Sequence, residues 1–338
     1  MLPRKWRVDL TPWSVAPWSY HSYVSGLMPA NQWILEPWSQ CGRIYIGLAL
    51  HNRGVSFAFY DVFLDKWDTT NVALLPEVNN NVSTQQITVA AERESIFLNT
   101  TEAGIFEGVA SDAFKTVECD IASNSHIVWM EGELHMLRYV GTVLEHRVWD
   151  THGLHTREHS AGFEANAEMS VVRVGLSGRR LVSVNNDSGE LYKYDSGHWQ
   201  KLAVGALPGS LVPMDHYCLA SSPCGRFVIL SNPKGATIWV LDLEANNMWP
   251  SAARLPAGFT TACMTITRGL QCMSWLQQWA REECTMANME ILPRVILGLV
   301  AKFLCASGEK IAHELHVFER NGNHATIEMT HVLCACAD

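Results

Sequence analysis

Within ten residues, from Asp150 to His159 in "DTHGLHTREH", the chain gathers three histidines (His152, His155 and His159) with Asp150 and Glu158. Imidazole nitrogens and carboxylates are donors that zinc accepts, so the stretch has the chemistry of a metal site. It is also the composition of a solvated polar turn, and Asp150 has a second role in the chain pattern below, so no metal is assigned. Cys334 and Cys336, near His331, are separated by a single residue, which fits no common zinc spacing. The chain holds no G-x-S-x-G, no phosphate loop and no dinucleotide fingerprint. The expectation is a protein without catalysis and without a cofactor.

Bulk properties narrow the partner. The net charge is −9 with a pI of about 5.9, a field that repels phosphate backbones and argues against nucleic acid. With 338 residues, 48% hydrophobic and 17% charged, the chain reads as globular. No run of 18 apolar residues and no apolar leader are present, so neither a membrane span nor a secretory signal is expected. Ten cysteines are scattered without a CxxC pair, which points to reduced thiols in a cytoplasmic or nuclear compartment. On that reading the sequons at Asn81, Asn99 and Asn186 are chance matches, and Cys218 and Cys224 are small core residues.

The elements that would position any site emerge from a repeat. Aromatic or apolar residues followed by an acid recur at Tyr60-Asp61, Phe106-Glu107, Trp149-Asp150, Tyr194-Asp195, Leu241-Asp242 and Phe318-Glu319. The first five acids are 46, 43, 45 and 47 residues apart, and the sixth follows after 77. Glycine turns at Gly42, Gly132, Gly178 and Gly225 precede the acid by 17 to 19 residues, with two β-rich runs between. Trp67, Trp199 and Trp249 are each followed by Leu-Pro, at Leu75-Pro76, Leu207-Pro208 and Leu255-Pro256. A period of 40–50 residues built from short strands is the mark of propeller blades. The expectation is all-β, a β-propeller of six four-stranded blades. The acid would end the third strand and accept turn N–H bonds, the Trp would open the outer strand and wedge between blades, and the proline would stop that strand.

These residues resemble the kelch family, whose repeats carry an aromatic–Asp pair, a following Trp and a glycine-rich second strand. The resemblance covers roughly residues 33–256, with a sixth copy near 295–330. It departs from the family where "IGLAL", "VSVNN" and "VILSN" stand in place of paired glycines. The stretch "SSPCGRFVILSNPKGATIWVLDLE" also resembles a WD-repeat, so both families remain open.

Two segments lie outside the pattern. Residues 1–32, rich in "PWS", are read as supplying an outer strand that closes the ring, or as coil packed on its side; residues 33–338 form the propeller. A short helix is expected in an insertion at about 264–292, before the last blade, from the loose stripe of Leu270, Met273, Trp275, Leu276 and Trp279.

The predicted inner strands offer His126 and Arg173 but no carboxylate pair for hydrolysis. The turns joining second to third strands are richer, holding Arg53, Arg138, Lys234 and Lys310, with Asn185 and Asn186 in blade four. A cation from most blades on one rim of an acidic protein would focus field toward an acidic peptide. The kelch resemblance implies a recognition module, a scaffold or substrate receptor, with a ubiquitin-ligase component among the expected partners. The rival readings are a structural subunit of a large complex, which would be poorly soluble alone, and a propeller enzyme with a channel metal site.

Overall fold

The computed structural model describes residues 6–9, 22–24, 33–40, 43–51, 54–61, 66–76, 87–92, 95–100, 104–109, 112–117, 126–140, 143–150, 153–157, 169–175, 179–186, 188–207, 217–222, 225–232, 237–255, 258–268, 313–319 and 323–330. Two strands come first, β1 (Trp6–Asp9) and β2 (Ser22–Val24). Blade one is β3 (Trp33–Gln40), β4 (Arg43–His51), β5 (Gly54–Asp61) and β6 (Lys66–Thr69), with β7 (Ala73–Leu74) also on β5. Blade two is β8 (Ile87–Glu92), β9 (Ser95–Thr100), β10 (Gly104–Gly108) and β11 (Lys115–Val117). Blade three is β12 (His126–Met130), β13 (Glu133–Val140), β14 (Val143–Asp150) and β15 (Gly153–Arg157).

Blade four is β16 (Met169–Val174), β17 (Arg180–Asn185), β18 (Leu191–Asp195) and β19 (His198–Lys201). Blade five is β20 (Cys218–Ser221), β21 (Phe227–Ser231), β22 (Thr237–Asp242) and β23 (Asn247–Arg254). Blade six is β24 (Thr261–Arg268), β25 (His313–Glu319) and β26 (His324–Thr330). Each blade's consecutive strands pair antiparallel. First strands adjoin in the order β3, β8, β12, β16, β20, β24, and β24 lies against β3. The ring therefore has six blades.

Both faces of a blade are covered by its neighbours, so middle strands cannot alternate polar and apolar. All eight residues of β5, "GVSFAFYD", are buried, and so are all five of β21, "FVILS". Outer strands have one covered face: β6 "KWDT" and β19 "HWQK" bury only their Trp in part. The apolar mass sits between blades, as where Phe57 and Leu48 of blade one meet Leu98, Phe106 and Phe114 of blade two. Each such side chain stabilises the fold by roughly 1.5–3 kcal/mol. The turn from β12 to β13 needs two positive φ angles, supplied by Glu131 (56°) and Gly132 (85°).

Blade six departs from the expectation. Residues 264–268, assigned to the insertion, belong to β24, because Cys263, Met264 and Ile266 of "TACMTITR" bury in strand register with β25. The insertion accordingly falls within the last blade, between its first and second strands, and not before it; residues 269–292 lie outside the described residues. The outer edge of β26 is taken by two segments. β2 pairs antiparallel with His324–Thr326, and β1 pairs parallel with residues 327–330.

The Leu-Pro pairs also differ from their expected place. In blades one and four the outer strand ends at Thr69 and Lys201, well before Leu75 and Leu207. These leucines are buried between blades, so the pair anchors the connecting chain, and only in blade five does it directly follow the strand. Asn99 and Asn186, both in sequon matches, are buried.

Candidate functional site

One rim of the ring carries the turns from first to second and from third to fourth strands, and there the repeat acid is a latch. Asp242 accepts the N–H groups of Glu244 and Ala245, each at 3.0 Å, and takes Nε and Nη2 of Arg226 on Oδ2 at 3.0 and 2.7 Å. Burial opposes the charge on Asp242, but Arg226 and the turn N–H groups outweigh it and hold the carboxyl below its usual range. The sixth acid, Glu319, departs from the expectation: it ends β25, the second strand of blade six, and so sits at the other end of its blade, where it accepts Thr260 N at 2.7 Å and Asn323 Nδ2 at 2.6 Å. At the latch end Asp61 lies 3.6 Å from Arg43. Glu131–Arg179, Lys66–Asp68, Lys193–Asp195 and Lys115–Glu107 are further pairs at this end. Arg226 faces a second acid, Glu244, at 3.5 Å, while Arg180 donates to the Gly225 carbonyl at 3.0 Å.

The opposite rim carries the turns from second to third strands, where the sequence placed the binding residues. Asn185 and Asn186 are buried. Asn185 Oδ1 accepts Ser188 N at 3.0 Å, and Asn186 Oδ1 accepts Ser170 Oγ and Tyr217 N, both at 3.1 Å, so their described contacts brace this turn. Arg138 is inside β13, two residue pairs below the Val140–Val143 pair that closes the hairpin, and not on the turn. The strand continues that far because Tyr139 and Val140 keep pairing with Leu144 and Val143. Arg53, Lys234 and Lys310 lie outside the described residues.

Arg138 sits directly across from Glu145, and its Nε donates to Glu145 Oε2. Arg147, two residues along on the same face, donates Nε to Oε1 at 2.6 Å. The three side chains are 24%, 22% and 26% exposed. Arg138's hydrogen bond, against some desolvation and with help from Arg147, holds the Glu145 carboxyl below its usual range. Two guanidiniums thus face one ionised carboxylate, leaving one positive charge in surplus. The cluster lies on the face toward blade two, because Leu134 and Met136, in phase with Arg138, pack against Ala90, Phe97 and Ile105. A guanidinium presents a planar fork of donors that matches a carboxylate, so the cluster can take a second one from outside.

Glu145 and Arg147 were missed from the sequence. Their signal was available: in "RYVGTVLEHR", Arg138 and Glu145 are equidistant from the Gly141-Thr142 turn, as a cross-strand pair must be. Of the other candidates, Arg173 on β16 donates to the Trp129 carbonyl at 3.0 Å and His126 opens β12. His155 is in β15 and Cys218 is buried on β20. His152, Glu158, His159, Cys224, His331, Cys334 and Cys336 lie outside the described residues.

The fold and rims define a six-bladed β-propeller. No protein-family model matches the chain, and no curated protein matches its sequence. Among solved structures it is similar to YCF48 bound to a D1 peptide, at 11% identity over 72% of each chain with a TM-score of 0.42. It is similar to a chain of the nidogen/laminin complex, at 10% identity over 73% of this chain and 90% of that one, TM-score 0.43. A third is TolB from Acinetobacter baumannii, at 12% identity over 66% of this chain and 55% of that one, TM-score 0.44. Likeness at this level carries nothing about ligand or activity.

Proposed function

We propose that this propeller is a non-catalytic binding scaffold that recognises an acidic segment of another protein at the rim where Arg138 and Arg147 share Glu145. The observation that carries the reading is the surplus positive charge of that cluster on a chain of net charge −9. A quarter-exposed, pre-oriented pair of guanidiniums favours a carboxylate-bearing partner and sets its register. On the opposite rim Arg43, Arg179 and Arg226 each face an acid already.

Affinity purification from the source cell tests this, with the wild-type chain and R138Q/R147Q as matched baits. The expected result is a partner with an acidic segment recovered by the wild type and lost with the variant. Equal recovery by both would overturn the assignment of the rim. A cullin or Skp1-like component in the same eluate would narrow the partner to a ubiquitin ligase.

A further inference from the structure

Two junctions between blades carry the same buried constellation. Between blades three and four, His135 Nδ1 lies 2.8 Å from His146 Nε2, with the Tyr194 ring 4.8 Å and the Trp199 ring 6.2 Å from His146. Between blades six and one, His316 Nδ1 lies 2.9 Å from His324 Nε2, with the Tyr60 ring 4.4 Å away and Phe318 stacked at 4.5 Å. Trp67 closes this second cluster against Phe318 at 5.6 Å. The same ring nitrogens meet in both pairs, and the same repeat positions of the following blade cover them. These four are the buried histidines among the described residues, at 0–1% exposure. In a ring of six the two junctions stand opposite each other, dividing it into blades one to three and four to six. The other four junctions are filled by apolar clusters.

We propose that these two seams are acid-sensitive latches: protonating a histidine pair loosens its blade junction, so that the ring relaxes at two opposite points while the other four hold. A neutral pair shares one proton between the facing nitrogens, whereas an added proton places an imidazolium among aromatic rings. At the first seam the facing groups are Tyr194 and Glu133, whose Oε2 is 3.7 Å from His135 Nε2. At the second they are Tyr60 and Cys263, with Thr326 Oγ1 3.3 Å from His324 Nε2. Desolvation first, and His316 second, push His324 well below the ordinary histidine range. Each histidine that is neutral in the closed seam and charged in the open one shifts the balance toward opening by up to about tenfold per pH unit below about 6.5.

Hydrogen exchange on the wild-type chain, at about pH 7.5 and about pH 5.5 and corrected for intrinsic rates, reads all six junctions at once. The expected result is at least about a tenfold loss of protection in 313–319, 324–330 and 54–61 and in 133–150 and 191–195, with the other junctions unchanged. His324→Gln, which cannot charge, is expected to abolish the response of its own seam and leave the other. No change on acidification, a uniform change at all six junctions, or an intact response in folded H324Q would each overturn the proposal. Should H324Q fail to fold, the six-way comparison in the wild type decides alone.

Discussion

The carbonyl oxygen of Leu207 occupies the place where a side chain on Gly189 would begin: a Cβ there would lie 2.1 Å from it, and Gly189 has φ of +69°. Leu207 N in turn donates to Gly189 O at 2.9 Å. Gly54 and Ala73 repeat the contact in blade one, with a Cβ-to-oxygen distance of 2.3 Å. The chain leaving each of these blades is thus tied to the start of its third strand. Gly189→Ala is expected to destabilise the fold by about 2–4 kcal/mol, combining a clash with a strained φ. Gly104→Ala, at φ +88° with nothing within 4 Å of a Cβ, is expected to cost only about 1 kcal/mol. Urea unfolding of the two variants checks the difference.

The Asp242 latch predicts a pH signature. Its folded carboxyl is held below the unfolded value, so its stabilising contribution is present above about pH 4 and is lost as pH falls through the folded value. Asp242→Asn keeps an oxygen for the turn N–H groups but loses the charge facing Arg226. It is expected to cost about 1–2 kcal/mol at neutral pH, with the gap to wild type closing below about pH 4. Chemical denaturation along a pH series measures both.

Removing residues 1–25 takes away β1 and β2 and bares the edge of β26. We expect the melting temperature to fall by about 5 °C or more and the variant to self-associate through that edge. Calorimetry and sizing report the two effects, and an unchanged, monodisperse variant would contradict the pairing.

Cys263 is fully buried and its thiol is pushed well above the ordinary range, by desolvation first and by Cys218 second. In the native protein Cys218 and Cys263 are expected to resist iodoacetamide, and both to react after denaturation. Peptide mass mapping resolves the positions.

Much of this architecture was legible in the residues. The recurring acid at Asp61, Asp195 and Asp242 marks the end of a third strand, and Trp67 and Trp199 do wedge against the preceding blade, because burial on both faces forces these positions to repeat. Glu319 instead ends the second strand of blade six. The start of blade six was not legible. Its Phe318-Glu319 mark stands on the second strand and not the third, and β24 is separated from β25 by 44 residues. The site was read only in part. Arg138 was read as a turn cation but lies inside β13, and its partner Glu145 is set by hairpin register, which a composition count of turn residues does not see. Asn185 and Asn186 looked like exposed turn polars, yet a tight turn needs internal acceptors and consumes them.

Titrating the chain with fluorescently labelled decaglutamate at low salt tests the central claim most directly, because the probe carries carboxylates and no other recognition feature. The wild type and K66Q/R179Q, which removes two cations from the opposite rim, should bind alike and lose binding together as salt rises. R138Q/R147Q, with the same change in net charge, should bind at least about tenfold more weakly. Equal isotherms for the two double variants would contradict the account.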